Sequence, residues 1–318
     1  MEFVQFVVPT LQACGDAMKL AVCGHANLDV QLQVRDLPKP GQSTPVLDRR
    51  TVWGGTGANI ARHAGGLGVP VRFWARVGDD FPADWRAALV FDGVDLRLDS
   101  VKGGRTPTCF ILTDLLERQS YCMDEGPMRD IAQYPPSAAL LDGMGKGDWL
   151  HIATGDPLGY AAIADDARLR GISVALDPGQ EMRFQYDVRS LSGLLSLSDV
   201  LFLNDEELKV ACGILERSSA AELLAFVPAV VVTRGAKEVT LYRRGEPELH
   251  VPVTPVKVLD PTGAGDAFRA GWYAALHSGK KWEEAIGWGS AAAGIVLQHV
   301  GGQGHVVRME ELRRTITA

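Results

Sequence analysis

The sequence has no excess of positive charge, few cysteines and no long apolar run. Its 318 residues carry a formal net charge of −7, so no basic excess is available to neutralise the phosphates of a nucleic acid. The five cysteines form no C-x-x-C pair and no Cys/His metal spacing, which is typical of reduced thiols in a cytoplasmic protein. No apolar run approaches the length of a membrane span. These features predict a cytoplasmic protein that has neither a nucleic acid nor a membrane as its partner.

The motifs of several common enzyme classes are also missing. The sequence has no G-x-x-x-x-G-K-[ST] run, which argues against a P-loop kinase. It has no G-x-S-x-G, no H-E-x-x-H and no G-x-G-x-x-G after a strand, so the usual hydrolase, zinc-protease and dinucleotide signatures are absent. The composition, 46% hydrophobic and 22% charged, is ordinary for a globular enzyme.

A repeating order of strands and helices follows residue 71 and predicts the main body of the fold. Apolar strand segments are predicted at 71–77, 149–153, 172–177, 199–203 and 229–233, with helical segments between them. Strands that alternate with helices favour a parallel, doubly wound sheet with right-handed crossovers. The sequence therefore predicts an α/β fold in which helices flank a mostly parallel sheet.

A second group of strands lies outside this alternating order. It comprises segments 30–34 and 45–53 and a hairpin of 108–113 with 119–123. We expect these segments, within about 29–53 and 106–124, to form a small antiparallel β lid that covers a bound substrate and excludes water. The lid and the main sheet are predicted to belong to a single domain, 18–318. Residues 1–17 are interpreted as an N-terminal extension, because M-K-L-A-V-C-G at 18–24 is typical of a start directly into a first strand.

The run D-P-T-G-A-G-D-A-F at 260–268 is the most informative stretch of the chain. It is predicted to lie between a strand, 251–259, and an apolar helix. Its glycines allow a sharp turn, and the first turn of a helix offers unpaired N–H groups that bind anions, phosphates above all. Asp266 would then be a base that helps an alcohol attack a phosphoryl group. The alternative is structural, since aspartate is a common helix cap and glycine-rich turns often only connect two elements.

Polar residues that could bind ligands follow three more predicted strands. Asp29 could accept hydrogen bonds from two sugar hydroxyls, or could cap a turn. The glycine-rich run at 54–59 could bring N–H groups and Asn59 to a substrate, or could form only a tight turn. Asn204 and Glu207 could hold hydrated Mg²⁺, or could form a helix capping box. The residues alone leave each alternative open.

Two of these runs together resemble the signatures of a known enzyme family. The run at 260–268 is similar to the second signature of the PfkB, or ribokinase-like, kinase family, D-[PT]-x-G-A-G-D-x-F, and the run at 54–61 is similar to its first, G-G-x-x-x-N-x-A. N-D-E-E at 204–207 resembles the family's N-x-x-E motif. T-R-G at 233–235 resembles the start of its T-x-G-x-x-G nucleotide loop, although Glu238 replaces the last glycine. The resemblance extends from about Leu20 to about Glu311 and implies a ribokinase-like fold.

The resemblance implies a role for each motif. Asp266 would be the catalytic base, and the backbone of Gly263, Ala264 and Gly265 would stabilise the transferring phosphoryl group. The other implied roles are substrate binding by Asp29, Gly54, Gly55 and Asn59, metal binding by Asn204 and Glu207, and nucleotide binding by Asn204, Thr233 and Gly235. The implied cofactors are ATP and Mg²⁺, and a requirement for a monovalent cation is left open. The family also implies a homodimer that forms through the lid.

Shorter stretches bear on the phosphoryl acceptor. T-P-T at 106–108, H-I-A-T-G-D-P at 151–157, D-P-G-Q at 177–180 and D-A-F-R-A-G at 266–271 resemble archaeal-type nucleoside kinases. They favour phosphorylation of the primary, 5′-type hydroxyl of a nucleoside. The alternative is a sugar or sugar-phosphate kinase of the ribokinase, ketodeoxysugar kinase or ribose-1-phosphate kinase type. A non-catalytic ligand-binding protein is a third hypothesis, disfavoured because Asp266 and the G-A-G run are intact.

Overall fold

The computed structural model describes residues 18–317, and the interpreted extension at 1–17 lies outside the described residues. In chain order, the strands are β1 (Leu20–Cys23), β2 (Asn27–Val34), β3 (Val46–Gly54), β4 (Val71–Trp74), β5 (Arg76–Gly78), β6 (Val94–Leu96), β7 (Asp99–Val101), β8 (Thr108–Thr113), β9 (Gln119–Asp124), β10 (Trp149–Ile152), β11 (Ser173–Leu176), β12 (Val200–Asn204), β13 (Ala229–Thr233), β14 (Glu238–Arg243) and β15 (Leu249–Pro252). The α-helices are α1 (Thr56–Gly66), α2 (Ala83–Phe91), α3 (Pro157–Leu169), α4 (Met182–Gln185), α5 (Val188–Leu197), α6 (Asp205–Ile214), α7 (Ala220–Leu223), α8 (Ala264–His277), α9 (Trp282–Val296) and α10 (Met309–Thr317).

Nine of these strands form the large sheet, in the order β15-β14-β13-β12-β11-β10-β1-β4-β6. Neighbours from β13 to β6 pair in parallel, whereas β14 pairs antiparallel with both β13 and β15. The central strands are short apolar runs that are buried throughout, as expected for a parallel sheet covered on both faces by helices. The mostly parallel, doubly wound sheet that the sequence predicts is thus confirmed.

The core consists of two apolar clusters, and strand residues alternate between them. In β12, Phe202 belongs to one cluster and Leu203 to the other, because successive side chains on a strand point to opposite faces. The cluster that contains Phe202 also holds Trp272 of α8, which packs edge-on against that ring with centroids 5.3 Å apart. Helix α8 is therefore fixed against the large sheet by its buried aromatic face.

The remaining long strands form a small sheet, in the order β3-β2-β8-β9. The outer pairs, β2 with β3 and β8 with β9, are antiparallel, but the central pair, β2 with β8, is parallel. The prediction of a wholly antiparallel lid is therefore wrong for that pair. Strands β2 and β3 form one antiparallel pair, and β8 and β9 form the other. The two pairs meet at β2 and β8, which run in the same direction. Val46 and Phe110 on this sheet are exposed, and the homodimer through it stays a prediction.

A second correction concerns the segment that precedes α8. The strand predicted over 251–259 ends at Pro252, and 253–263 has no strand. Pro252, Pro255 and Pro261 lack the N–H group that a sheet ladder requires, so the chain leaves the sheet here as a loop. That loop carries the residues that begin the candidate site. No helix within 18–317 is both long enough and apolar enough to cross a membrane.

Candidate active site

The loop before α8 is held in place by Asp260 and turns at Gly263. The carboxylate of Asp260 accepts hydrogen bonds from the backbone N–H groups of Thr262 and Gly301, each at 2.8 Å. Gly263 has φ 77°, in the left-handed region, and a Cβ there would lie 2.5 Å from Cα of Gly302. Glycine is therefore required at 263. Because α8 begins at the next residue, the positive end of its helix dipole and its first-turn N–H groups lie at this turn, an arrangement that is suited to binding an anion.

Asp266 lies in that first turn and is partly buried. Its Oδ2 accepts a hydrogen bond from Nδ2 of Asn59 at 2.7 Å. Burial raises the pKa of Asp266 to about 7, and the nearby carboxylates of Asp177 and Glu207 add to the increase. The bond from Asn59 and the charge of Arg269 act in the opposite direction. A carboxyl group with a pKa near neutrality is well suited to accept a proton from an alcohol.

Arg269, one turn further along α8, forms a buried ion pair with Asp177 at the end of β11. Its Nε lies 2.9 Å from Oδ2 of Asp177, and a second guanidinium nitrogen lies 3.0 Å from Oδ1. The same guanidinium donates to the carbonyl oxygen of Gly265 at 3.2 Å and lies 5.2 Å from the ring centroid of Phe202. Arg269 therefore connects the start of α8 to the large sheet.

Asp29 lies on the central pair of the small sheet, beside Val52 of β3 and Cys109 of β8. It is 7% exposed, and burial, followed by the charge of Asp260, raises its pKa to about 7. Gly54 lies directly against it, since a Cβ at Gly54 would be 2.0 Å from Oδ2 of Asp29. Gly54 thus makes room for this carboxylate.

The residues predicted to bind metal and nucleotide lie at the start of α6 and at the end of β13. Asn204 and Glu207 form a capping box, in which Oδ1 of Asn204 accepts from the Glu207 N–H at 2.9 Å and Oε2 of Glu207 accepts from the Asn204 N–H at 2.8 Å. Burial, with a smaller contribution from Asp177, raises the pKa of Glu207. Thr233 ends β13, and Gly235 follows it with φ 56°. The capping interpretation is therefore confirmed, and it leaves Glu207 close to another carboxylate.

One cavity of about 1290 Å³ brings nearly all the predicted site residues together. This volume exceeds the usual size of a pocket for one small molecule, so two ligands can fit side by side. Of the predicted residues, Gly54 does not line the cavity, because it lies behind Asp29. Those that line it are Asp29, Gly55, Asn59, Asn204, Glu207, Thr233, Gly235, Gly263, Ala264, Gly265 and Asp266.

The sequence did not indicate two polar clusters beside this cavity. In the first, Thr154 Oγ1 lies 3.0 Å from Nδ1 of His25 and 2.7 Å from Oγ1 of Thr56. Burial, followed by the charge of Glu125, raises the pKa of the neighbouring Glu181 to about 8. Thr154 lies in the H-I-A-T-G-D-P stretch and Thr56 in the glycine-rich run at 54–59, but neither pattern shows that the two side chains meet.

The second unanticipated cluster lies behind Asn59. Gln303 donates from Nε2 to Oδ1 of Asn59 at 2.8 Å and accepts at Oε1 from Nε1 of Trp85 at 2.9 Å. Gln303 is 6% exposed and comes from the G-G-Q-G run after α9. A polar residue between glycines was the only sign that the sequence offered.

Comparisons with known proteins agree with this geometry. Residues 17–307 match the pfkB family carbohydrate kinase. The chain is 28% identical to a nucleoside kinase of Methanothermobacter thermautotrophicus over 94% of this chain and 96% of that protein. It is also 28% identical to a ribokinase of Haemophilus influenzae, over 92% and 96%. The crystal structure of the nucleoside kinase of Methanocaldococcus jannaschii superposes with a TM-score of 0.84 at 28% identity, covering 95% of this chain and 99% of that one. The chain is a kinase, and it belongs to the pfkB family of carbohydrate kinases.

Proposed function

We propose that this kinase transfers the terminal phosphoryl group of Mg·ATP to the primary hydroxyl of a nucleoside. The observation that carries the proposal is the position of Asp266. It lies in the first turn of α8, at the anion site that follows Gly263, and lines a cavity large enough for two substrates. Asp29 lines the same cavity from the small sheet. An acceptor held by Asp29 would thus share one cleft with the base and the helix start proposed to bind the phosphate.

The proposed chemistry at the base is a proton transfer that accompanies phosphoryl transfer. Oδ2 of Asp266 is engaged by Asn59, so Oδ1 is the oxygen that would take the proton from the attacking hydroxyl. The N–H groups of Gly263, Ala264 and Gly265 would stabilise the negative charge on the transferring group, because donors fixed in place need no reorganisation during the reaction. Proton acceptance and charge stabilisation would thus come from one helical turn.

The nucleotide is proposed to occupy the part of the cavity lined by Asn204, Thr233 and Gly235. The residues nearby fit a hydrated Mg²⁺. Within 18–317 no three acidic, histidine or cysteine side chains converge as direct metal ligands. The carboxylates of Glu207 and Asp177 nevertheless lie close enough together for Asp177 to raise the pKa of Glu207, and hard cations prefer such oxygen ligands. Bound Mg²⁺ would neutralise phosphate charge. Glu207, held by the cap at Asn204, would orient water ligands of the ion.

The charge of the small sheet favours a neutral acceptor over a sugar phosphate. Four acidic residues of this sheet and its β8–β9 turn line the cavity, against one basic residue, Arg50, which pairs with one of them at 3.2 Å. These four acidic residues are Asp29, Asp48, Asp114 and Glu117. Asp114 is paired with Arg118 at 2.6 Å, so a phosphorylated sugar would be repelled mainly by Asp29 and Glu117, whereas a nucleoside carries no charge to repel. Apolar side chains on the same sheet, Ile111 and Met123, also line the cavity and would contact a base.

A panel of acceptors tests the proposal directly. With Mg·ATP in excess, we expect at least one nucleoside to be phosphorylated with kcat/KM about 10–200-fold above that of ribose, since the added contacts of a base are worth about 1–3 kcal/mol. We expect ribose 1-phosphate to be poorer still. Product formation is measured by mass spectrometry, and ³¹P NMR identifies the modified hydroxyl. A clear preference for free ribose would favour the sugar kinase instead.

Replacing Asp29 tests the proposed acceptor contact. We expect Asp29→Ala to raise the acceptor KM by about tenfold or more, because hydrogen bonds to a charged group contribute about 1.5–3 kcal/mol each. The KM for ATP should change less than about twofold, since charged contacts to the nucleotide are proposed elsewhere. Gln31→Ala is the matched control, because Gln31 lies two residues along the same strand and lines the same cavity. Equal increases in both KM values would argue against a contact between Asp29 and the acceptor.

A further inference from the structure

A continuous chain of hydrogen bonds connects a buried tryptophan to Asp266. Trp85 Nε1 donates to Oε1 of Gln303 at 2.9 Å, and Nε2 of Gln303 donates to Oδ1 of Asn59 at 2.8 Å. Asn59 then donates from Nδ2 to Oδ2 of Asp266 at 2.7 Å. Trp85 is fully buried, and Gln303 and Asn59 are 6% and 4% exposed. The four residues come from α2, the segment after α9, α1 and α8.

The order of donors and acceptors in these hydrogen bonds is determined at the end furthest from Asp266. A tryptophan N–H group only donates, and so does an arginine. Both Trp85 and Arg62, the latter at 3.3 Å, donate to Oε1 of Gln303, so this atom must be the amide oxygen. The amide nitrogen of Gln303 therefore faces Asn59, and Asn59 in turn must present its own nitrogen to Asp266. Neither amide can rotate by 180° without placing two donors or two acceptors against each other.

We propose that Gln303 is a positioning residue that keeps the N–H group of Asn59 directed at Asp266, so that the base stays ionised and correctly oriented for proton transfer. This inference rests on the function proposed above. A hydrogen bond donated to a carboxylate favours its charged form, and here it opposes the effect of burial. Without Gln303, only Asp266 itself would orient the amide of Asn59, and the oxygen of that amide would lose the donor that holds it in place.

Other charged groups near Asp266 come from three elements. The carboxylates of Asp177 and Glu207 disfavour its ionisation, and Arg269 favours it. None of the three takes part in the hydrogen-bond chain, so variants at Gln303 leave all of them in place. Their effect is common to every variant compared.

Gln303 has charged neighbours of its own. Arg62 is held by Asp92, whose Oδ2 lies 2.7 Å from its Nε. His63 bonds the carbonyl oxygen of Gly302 at 2.8 Å, and burial lowers the pKa of His63 to about 4. His63 is therefore neutral throughout a pH range of 5.5–9.5, so it does not titrate in the experiment that follows.

The test is the pH dependence of kcat, between about pH 5.5 and 9.5, with both substrates saturating. In Gln303→Glu, the new carboxylate still accepts from Trp85 but cannot donate to Asn59. We expect Asn59 to reverse its amide, and the rising limb of the profile to move up by about one pH unit or more. Because the starting pKa is about 7, a shift of one unit should lower turnover at pH 7 about fivefold, and turnover should recover as the pH rises. Gln298→Glu is the matched control, because it adds the same charge at an exposed position of the same segment, and its profile should match that of the wild type.

A second variant covers the case in which Gln303→Glu does not fold. Gln303→Met has a similar shape, adds no charge and removes the hydrogen bonds of the Gln303 amide to Trp85, Arg62 and Asn59. It should move the midpoint of the rising limb of the kcat–pH profile in the same direction, by a smaller amount. A folded variant with reduced kcat and an unshifted midpoint would overturn the proposal, because a purely structural defect lowers turnover equally at every pH.

The wild type and Asp266→Asn are measured in the same series. Wild-type protein that phosphorylates no nucleoside, or an Asp266→Asn variant that keeps its turnover, would refute the proposed function itself. With both of those results as expected, an unshifted midpoint in the Gln303 variants refutes only the positioning role.

Discussion

Asp266→Asn is expected to lower kcat by about 10²–10⁴-fold, the usual contribution of a positioned general base. Asparagine has the same shape, and its amide oxygen can still accept the hydrogen bond from Asn59. It cannot take a proton from an alcohol, whereas the N–H groups of the first turn of α8 remain in place. Binding of ATP should therefore be retained while turnover is lost. The measurement is kcat in a coupled assay at pH 8, above the pKa of about 7 for Asp266.

The same variant should also change how stability depends on pH. Burial raises the folded-state pKa of Asp266 from 3.8 to about 7, so the folded state binds its proton more tightly than the unfolded state does. That contribution to stability is complete below pH 3.8 and is lost as the pH rises through about 7. Asp266→Asn has no such loss. Its free energy of unfolding, measured relative to that of the wild type, should therefore increase as the pH rises from 5 to 8.

Urea denaturation at those two pH values gives the comparison. Asp84→Asn is the matched control, since it makes the same change at an exposed aspartate in the first turn of α2. Near-normal kcat in a folded Asp266→Asn protein would rule out the base role, whatever its stability.

Local patterns explain how much of this site the sequence could predict. Gly263 and Asp266 follow from the needs of a single turn and the helix start beside it, and the cap at Asn204 depends on residues only three apart. Such features depend on only a few consecutive residues. The large sheet was predictable for a similar reason, because the order of apolar strands and helices limits its topology to a few possibilities.

The features that the sequence did not predict depend on contacts between segments that are far apart in the chain. The bond from Asn59 to Asp266 joins residues 207 positions apart, and the bond from Gln303 to Asn59 joins residues 244 apart. The parallel pairing of β2 with β8 is likewise set by how two strand pairs meet. Nothing in the local sequence around 303 shows which partner its amide will find. Asn59 was predicted to bind a sugar hydroxyl, yet both of its amide atoms also have protein partners, one of which is the proposed base.

Arg269→Met is expected to cause the largest loss of stability. Asp177 and Arg269 are 6% and 5% exposed, so the variant leaves a buried carboxylate without its partner. Breaking a buried pair in this way costs about 3–5 kcal/mol in the free energy of unfolding. Burial would raise the pKa of Asp177, but Arg269 and His151 outweigh it and hold the pKa below its usual value. The measurement is the midpoint and slope of urea denaturation at neutral pH.

A second substitution separates the unpaired charge from lost packing. Asp177→Asn added to Arg269→Met removes the uncompensated carboxylate, so we expect the double variant to recover a large part of the loss. Arg243→Met is the control for an ion pair that is only partly buried. Its guanidinium is 31% exposed and pairs with Glu283 at 2.6 Å, and such surface pairs contribute only about 0–1 kcal/mol. If Arg269→Met proved no more harmful than Arg243→Met, the pair would not be what joins the start of α8 to the sheet. If the double variant were as unstable as the single one, the loss would come from the contacts of the guanidinium with Phe202 and Gly265 and not from the charge on Asp177.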